Sequence, residues 1–196
     1  MPVTQTAGHK QAPRLVCMTW VTHGSSTVYS NPWIEVREDR ITGPGGDGIY
    51  GVVTMRHAAV FVVAIDEEER VCLVTLERYT TGRSVEVPAG GSDGEDPVVA
   101  AQRELLEETG FVAAEWVPLG TMNALNGIAD APEHVFLARG LTRADGPAHT
   151  QAEEGISAVS WVPFAEVLSM IADGRITDGE TVAAITYAGI RLGRFR

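Results

Sequence analysis

The sequence predicts an α+β sandwich built on a mixed sheet. Three observations carry this: Val-rich apolar runs at 58–65 and 71–76, a capped helical pattern at 96–110 set among strands, and two amphipathic helical patterns after the last strand. Strands, one helix, more strands and then helices describe a mixed sandwich, whereas a regular parallel series would alternate strand and helix throughout.

Residues 1–27 mix Thr, Gly, Ser, His and Pro without sustained periodicity and read as a flexible tail with one short strand around Leu15 to Val21. The pattern changes at Val28. Trp33, Ile34 and Val36 begin a strand, Gly43 to Gly48 is a turn by its Gly and Pro content, and Ile49 to Met55 returns as a hairpin. Residues 28–57 therefore form an N-terminal β extension and residues 58–196 the main domain. In that domain Ala58 to Ile65 and Val71 to Leu76, split by Asp66 to Arg70, read as two buried, hydrogen-bonded strands of a sheet core.

Ser84 to Val87 is a short strand that stops at Pro88, and a Gly-rich loop from Ala89 to Glu95 leads into the clearest helix. Asp96 caps it, Pro97 occupies its first position, and Gly110 stands after Thr109 where a left-handed residue is needed. Strands follow at Trp116 to Met122, His134 to Arg139 and Ile156 to Val162, and helices at Phe164 to Asp173 and Gly179 to Leu192. His134, in a Val/Phe/Leu strand, reads as a sheet residue. The loop Asn123 to Glu133 is long enough to shape one end of a pocket.

Composition narrows the function classes. A chain with 44% hydrophobic and 21% charged residues is globular, and no apolar run approaches the roughly 20 residues that span a bilayer. No secretory pattern opens the sequence, so the expected compartment is cytoplasmic. Cys17 and Cys72 match no paired metal spacing and read as buried or half-buried thiols. A net charge of -11 without a basic cluster disfavours nucleic acid as a polymeric partner. A small phosphorylated substrate would need cations at its site.

The helix at 97–109 breaks the local rules of helix electrostatics. Glu104, Glu107 and Glu108 crowd its last two turns, where the macrodipole disfavours anions, and their spacing puts like charges on one face. Arg103, four before Glu107, relieves only part of this. Either the cluster is a solvated face or it holds a divalent cation, and the preceding Val87-Pro88-Ala89-Gly90-Gly91, which lets backbone approach a ligand, favours the cation. Magnesium fits the hard oxygen donors, with no His or Cys nearby.

Glu95, Arg103, Glu104, Leu105, Glu107, Glu108, Gly110 and Phe111 stand at the intervals of the box of the Nudix hydrolase family, which this chain resembles. One departure occurs: the first Gly of the box falls on Ala89, with Gly90 one residue late, as if the loop were a residue short. The resemblance implies an α/β/α sandwich with a mixed sheet and an N-terminal strand extension. Asn31 to Val36, Leu76 to Gly82, Glu86 to Gly90, and Glu153 to Ile156 before Trp161-Val162-Pro163 further resemble the ADP-ribose pyrophosphatase branch. That branch implies an intertwined homodimer through residues 28–57, Trp33 stacking on adenine, and a late-loop Glu, here Glu154 or its neighbour Glu153, assisting the attacking water. Trp33 reads also as a core or dimer-interface residue, and Glu153 and Glu154 as a solvated acidic loop.

By the same resemblance, Glu104 and Glu108 with the Ala89 carbonyl hold Mg2+, for which Mn2+ can substitute. Glu107 is a further ligand or the base, and Arg103 orients the cluster. Glu86 and Arg78 are substrate-binding candidates, and Arg78 reads equally as a pyrophosphate contact or a structural ion pair. The family often has another Arg three positions earlier, where this chain has Thr75. The expected reaction is hydrolysis of the pyrophosphate bond of a nucleoside diphosphate derivative, ADP-ribose to AMP and ribose 5-phosphate first. Another nucleoside diphosphate sugar, or a noncatalytic ligand sensor on the same fold, are the alternatives.

Overall fold

The computed structural model describes residues 19–144 and 155–195, which fold into three sheets and three helices. β1 (Val21–Ser30), β2 (Ile34–Gly43) and β3 (Gly46–Met55) form an antiparallel meander. The Asn31 side-chain oxygen accepts the amides of Trp33 and Ile34 at 2.9 and 2.8 Å, turning the chain between β1 and β2. Most of the strand expected around Leu15 to Val21 lies outside the described residues, and β1 instead occupies part of the segment read as a tail. It escaped detection because it is exposed along nearly its whole length, so no alternation marks it.

The central sheet runs β7 (Ala89–Gly91), β4 (Ala59–Ala64), β10 (Pro132–Arg143), β8 (Phe111–Asn123), with β4 and β10 parallel and the outer pairs antiparallel. An antiparallel sheet orders β11 (Ile156–Pro163), β5 (Arg70–Arg78), β6 (Gly82–Glu86). The two Val-rich runs are both buried strands, but they join different sheets and share only the bridge between Ile65 and Val71. A two-residue β9 (Ala129–Asp130), inside the segment read as a loop, pairs parallel with β3 and ties the N-terminal sheet to the rest.

Alternate residues of β4 explain its unbroken apolar run, because both faces are covered. Val60, Val62 and Ala64 pack with Ala100, Ala101 and Leu105 of α1 (Pro97–Thr109). Phe61, Val63 and Ile65 pack with Phe164 and Val167 of α2 (Phe164–Ala172) and Ala184 and Ile185 of α3 (Gly179–Arg191). This is an α/β/α sandwich, and each Val, Leu or Ile wholly withdrawn from water contributes roughly 1.5–3 kcal/mol before entropy is counted. Among the described residues no helix is long and apolar enough to cross a membrane.

Two local features aim the chain at one place. The Asp96 side chain accepts the Val98 amide and Gly110 takes φ 75° at the end of α1, so the caps sit where the sequence puts them. The wholly buried Thr181 hydroxyl of α3 accepts the Val87 amide at 3.1 Å, pinning the start of the Gly-rich loop.

Candidate active site

The loop between β7 and α1 closes tightly. Asp93 and Gly94 adopt left-handed φ values of 49° and 86°, and the Glu95 amide donates to the Ser92 carbonyl at 2.8 Å. Asp tolerates this region better than most residues. Register sets Ala89 opposite Phe61 and Gly90 opposite Val60. A Cβ at position 90 would collide with the Glu104 carboxylate, so the glycine is required there by a helix residue reaching into the loop.

Glu104 and Glu108 are 7% and 5% exposed, one helical turn apart. Glu108 accepts the Ala89 amide at 3.0 Å, locking helix to loop. Arg103 spreads its guanidinium across the cluster: it donates to Glu95 at 3.0 Å, to Glu104 at 2.7 Å, to Glu107 at 3.1 Å and to the Gly91 carbonyl at 2.9 Å. Desolvation opposes its charge, but hydrogen bonds and charge from these carboxylates outweigh that and raise its pKa. Among the described residues no three Asp, Glu, His or Cys side chains form a ready-made metal cage, and Glu104 and Glu107 converge on Arg103. The donor chemistry still suits a hard cation: carboxylate oxygens beside backbone that only glycine lets so close.

Beside this cluster, Arg78 donates to both oxygens of Glu86 at 3.0 and 2.5 Å, and Glu86 is 4% exposed. The bond to Glu86 raises the Arg78 pKa against desolvation. Both residues line an open cleft of about 430 Å³ with Phe61, Thr80, Asp178 and Glu180. Thr75 is buried in β5, its carbonyl accepting the Ser157 hydroxyl.

Other residues singled out in the sequence lie elsewhere. Trp33 is 70% exposed on the N-terminal sheet and does not line the cleft. His134 is half-buried in β10, in register with Val60 and Thr121. Glu153 and Glu154 fall outside the described residues. The structure adds Glu133, Asp178 and Glu180, which sequence reasoning missed. Glu133, 6% exposed at the start of β10, has its carboxyl pushed up to about 7 by burial and then by the charges of Glu180 and Asp178. A Glu at the entry to the apolar strand Val135-Phe136-Leu137 is its signal in the sequence.

A NUDIX domain model matches residues 55–185, two thirds of the chain. The chain belongs to the Nudix family. A second model, described as a nucleoside diphosphate sugar hydrolase N-terminal domain, matches residues 20–53, which are β1 to β3. An ADP-ribose pyrophosphatase of Mycobacterium tuberculosis is 35% identical over 172 residues, spanning 86% of this Nudix chain and 80% of its own length. A CMP-5'-(N-acetyl-N-hydroxy-3-aminopropyl)phosphonate hydrolase of Streptomyces rubellomurinus is 29% identical over 177 residues, 88% of this chain and 84% of its own. A crystal structure described as an ADP compounds hydrolase superposes with a TM-score of 0.75 at 20% identity, covering 89% of this chain and 94% of that one, and shows the shared fold. The Nudix protein is thus a pyrophosphohydrolase of the ADP-ribose pyrophosphatase-like branch.

Proposed function

We propose that this enzyme hydrolyses the pyrophosphate bond of a nucleoside diphosphate sugar with magnesium, ADP-ribose to AMP and ribose 5-phosphate being the preferred reaction. The observation that carries the reading is the burial of Glu104 and Glu108 against Ala89 and Gly90. Withdrawing a carboxylate from water costs several kcal/mol, and the two stand at a helix C-terminus where the macrodipole disfavours anions. Hard oxygen donors held beside loop backbone suit a divalent cation.

Glu104, Glu108 and the Ala89 carbonyl would hold magnesium, with Glu107 as a further ligand or as base. When bound, the metal supplies charge that neutralises the pyrophosphate oxygens and acidifies water. Arg103 keeps the carboxylates oriented. Arg78, fixed by Glu86, faces a cleft where a pyrophosphate can take a charge-assisted contact. Glu154, or Glu153, removes a proton from water as its oxygen attacks one phosphorus and the bridging P–O bond breaks. The N-terminal sheet pairs two copies into a homodimer, bringing Trp33 to the adenine.

A turnover panel of ADP-ribose, GDP-mannose and UDP-glucose with magnesium, products separated by chromatography, tests this. ADP-ribose is expected to be cut fastest. Turnover of none of the three would overturn the reading. A faster rate with another nucleotide sugar would support the second reading, favoured by the match of residues 20–53 to a domain described for nucleoside diphosphate sugar hydrolases in general.

A further inference from the structure

A second cavity, of about 320 Å³, opens between the start of β10, the segment after β8 and the first turn of α3. Met122, Leu125 and Ala183 give it an apolar wall, and Glu133 and Glu180 supply its acidic side. Gly179 and Glu180 line both this cavity and the Arg78–Glu86 cleft, so a single extended ligand can occupy the two together. Glu133 is more than nine-tenths buried, and its Oε2 has no hydrogen-bond partner. Glu133 lines the cavity, and a buried carboxyl oxygen without a partner is costly unless something reaches it.

We infer that Glu133 and Glu180 form a hydroxyl-recognition subsite that reads the sugar of the substrate, and so help set its specificity. This rests on the nucleoside diphosphate sugar reading above. The chemistry of the cavity selects the occupant. With no Lys or Arg in its lining it repels a phosphate. A sugar ring presents C–H groups to the apolar wall and hydroxyls, each donor and acceptor, to the carboxyls. Burial and the charges of Glu180 and Asp178 push the Glu133 carboxyl up to about 7, and desolvation raises Glu180 as well. Near neutral pH the pair therefore offers both donor and acceptor, which suits a diol.

Calorimetric titration of the full chain with ADP-ribose, GDP-mannose, ADP and GDP, with chelator present so that no turnover occurs, provides the test. The wild type should bind at least one sugar nucleotide more tightly than its parent diphosphate. Glu133→Leu should weaken that sugar nucleotide by about tenfold or more while moving the parent diphosphate by less than about twofold. Glu133→Gln, which still offers a donor and an acceptor, should keep most of the preference. With magnesium, Glu133→Leu should raise KM for the sugar nucleotide more than it lowers kcat. If Glu133→Leu fails to fold, Glu180→Ala carries the same expectations.

Equal loss for sugar nucleotide and parent diphosphate would overturn the subsite, as would a wild type without preference. Loss in Glu133→Gln as deep as in Glu133→Leu would show that a donor and an acceptor at this position are not enough for recognition and would overturn it too. A preserved binding pattern with no turnover would strike the hydrolase reading alone.

Discussion

Two regions of this molecule invert the usual distribution of polarity in opposite directions. Around α1, carboxylates sit inside: Glu104 and Glu108 are almost fully buried against Gly90 and Ala89. On the N-terminal sheet, apolar residues sit outside: Val28, Trp33 and Ile49 are 62, 70 and 66% exposed. Each inversion costs free energy in the isolated chain. Under the proposed function a cation would sit on the buried carboxylates and a second copy of the chain on the exposed apolar residues, so the same kind of misfit would serve two different ligands.

Removing a buried charge acts hardest on the first region. Glu108→Gln should lower kcat by several orders of magnitude, on the order of 10³ or more, while the metal-free melting temperature holds or rises because an anion has left a helix C-terminus. Steady-state kinetics with saturating magnesium and a thermal melt check both halves, and near wild-type activity would break the comparison. Glu154→Gln should cost about 10²-fold or more in kcat with little change in KM, since a base acts in the transition state. Glu153→Gln should be milder. An unchanged rate in Glu154→Gln would move the base to Glu153 or Glu107.

The second region should respond through assembly. Val28→Asp with Ile49→Asp is expected to convert a dimer at micromolar concentration into a monomer by sedimentation, with KM raised about tenfold if Trp33 stacks on the base. A wild type that is monomeric and fully active at nanomolar and micromolar concentration would leave the exposed face without its second copy.

The smallest effect concerns Glu133, a third misfit lying between the two. Its folded pKa of about 7 stands above the ordinary 4.5, so the native state holds the proton more tightly than the unfolded one. Stability from this group is complete below about pH 4.5 and is lost as pH rises through 7, a change on the order of 1–3 kcal/mol. Glu180 and Asp178 face it and sharpen the effect, while Asp66 and Glu69, with lowered pKa values, act in the opposite sense at more acid pH. Urea melts at pH 5 and pH 8 should show Glu133→Gln gaining on the wild type as pH rises.

What the sequence disclosed was local in nature. Asp96, Pro97 and Gly110 mark the ends of α1 with signals only a few residues long, and the carboxylates of the box share that one helix. The division of β4 and β5 between sheets was not legible, because β4 takes its parallel partner from β10, some 70 residues on, and nothing in either strand names it. The Glu133, Asp178 and Glu180 cluster was hidden for the same reason: β10 and α3 meet only in the fold. β1 was missed because a strand exposed along nearly its whole length carries no periodicity.

The Thr181 hydroxyl on the Val87 amide bears on how the enzyme comes into being on the ribosome. Val87 is synthesised 94 residues before Thr181, an interval of roughly 5 to 20 s at ordinary elongation rates. Throughout it the segment that feeds the Gly-rich loop lacks this anchor, although the helix with the carboxylates has already been made. A nascent chain arrested before Gly179 is therefore expected to show rapid deuterium uptake at Val87 that the released protein does not.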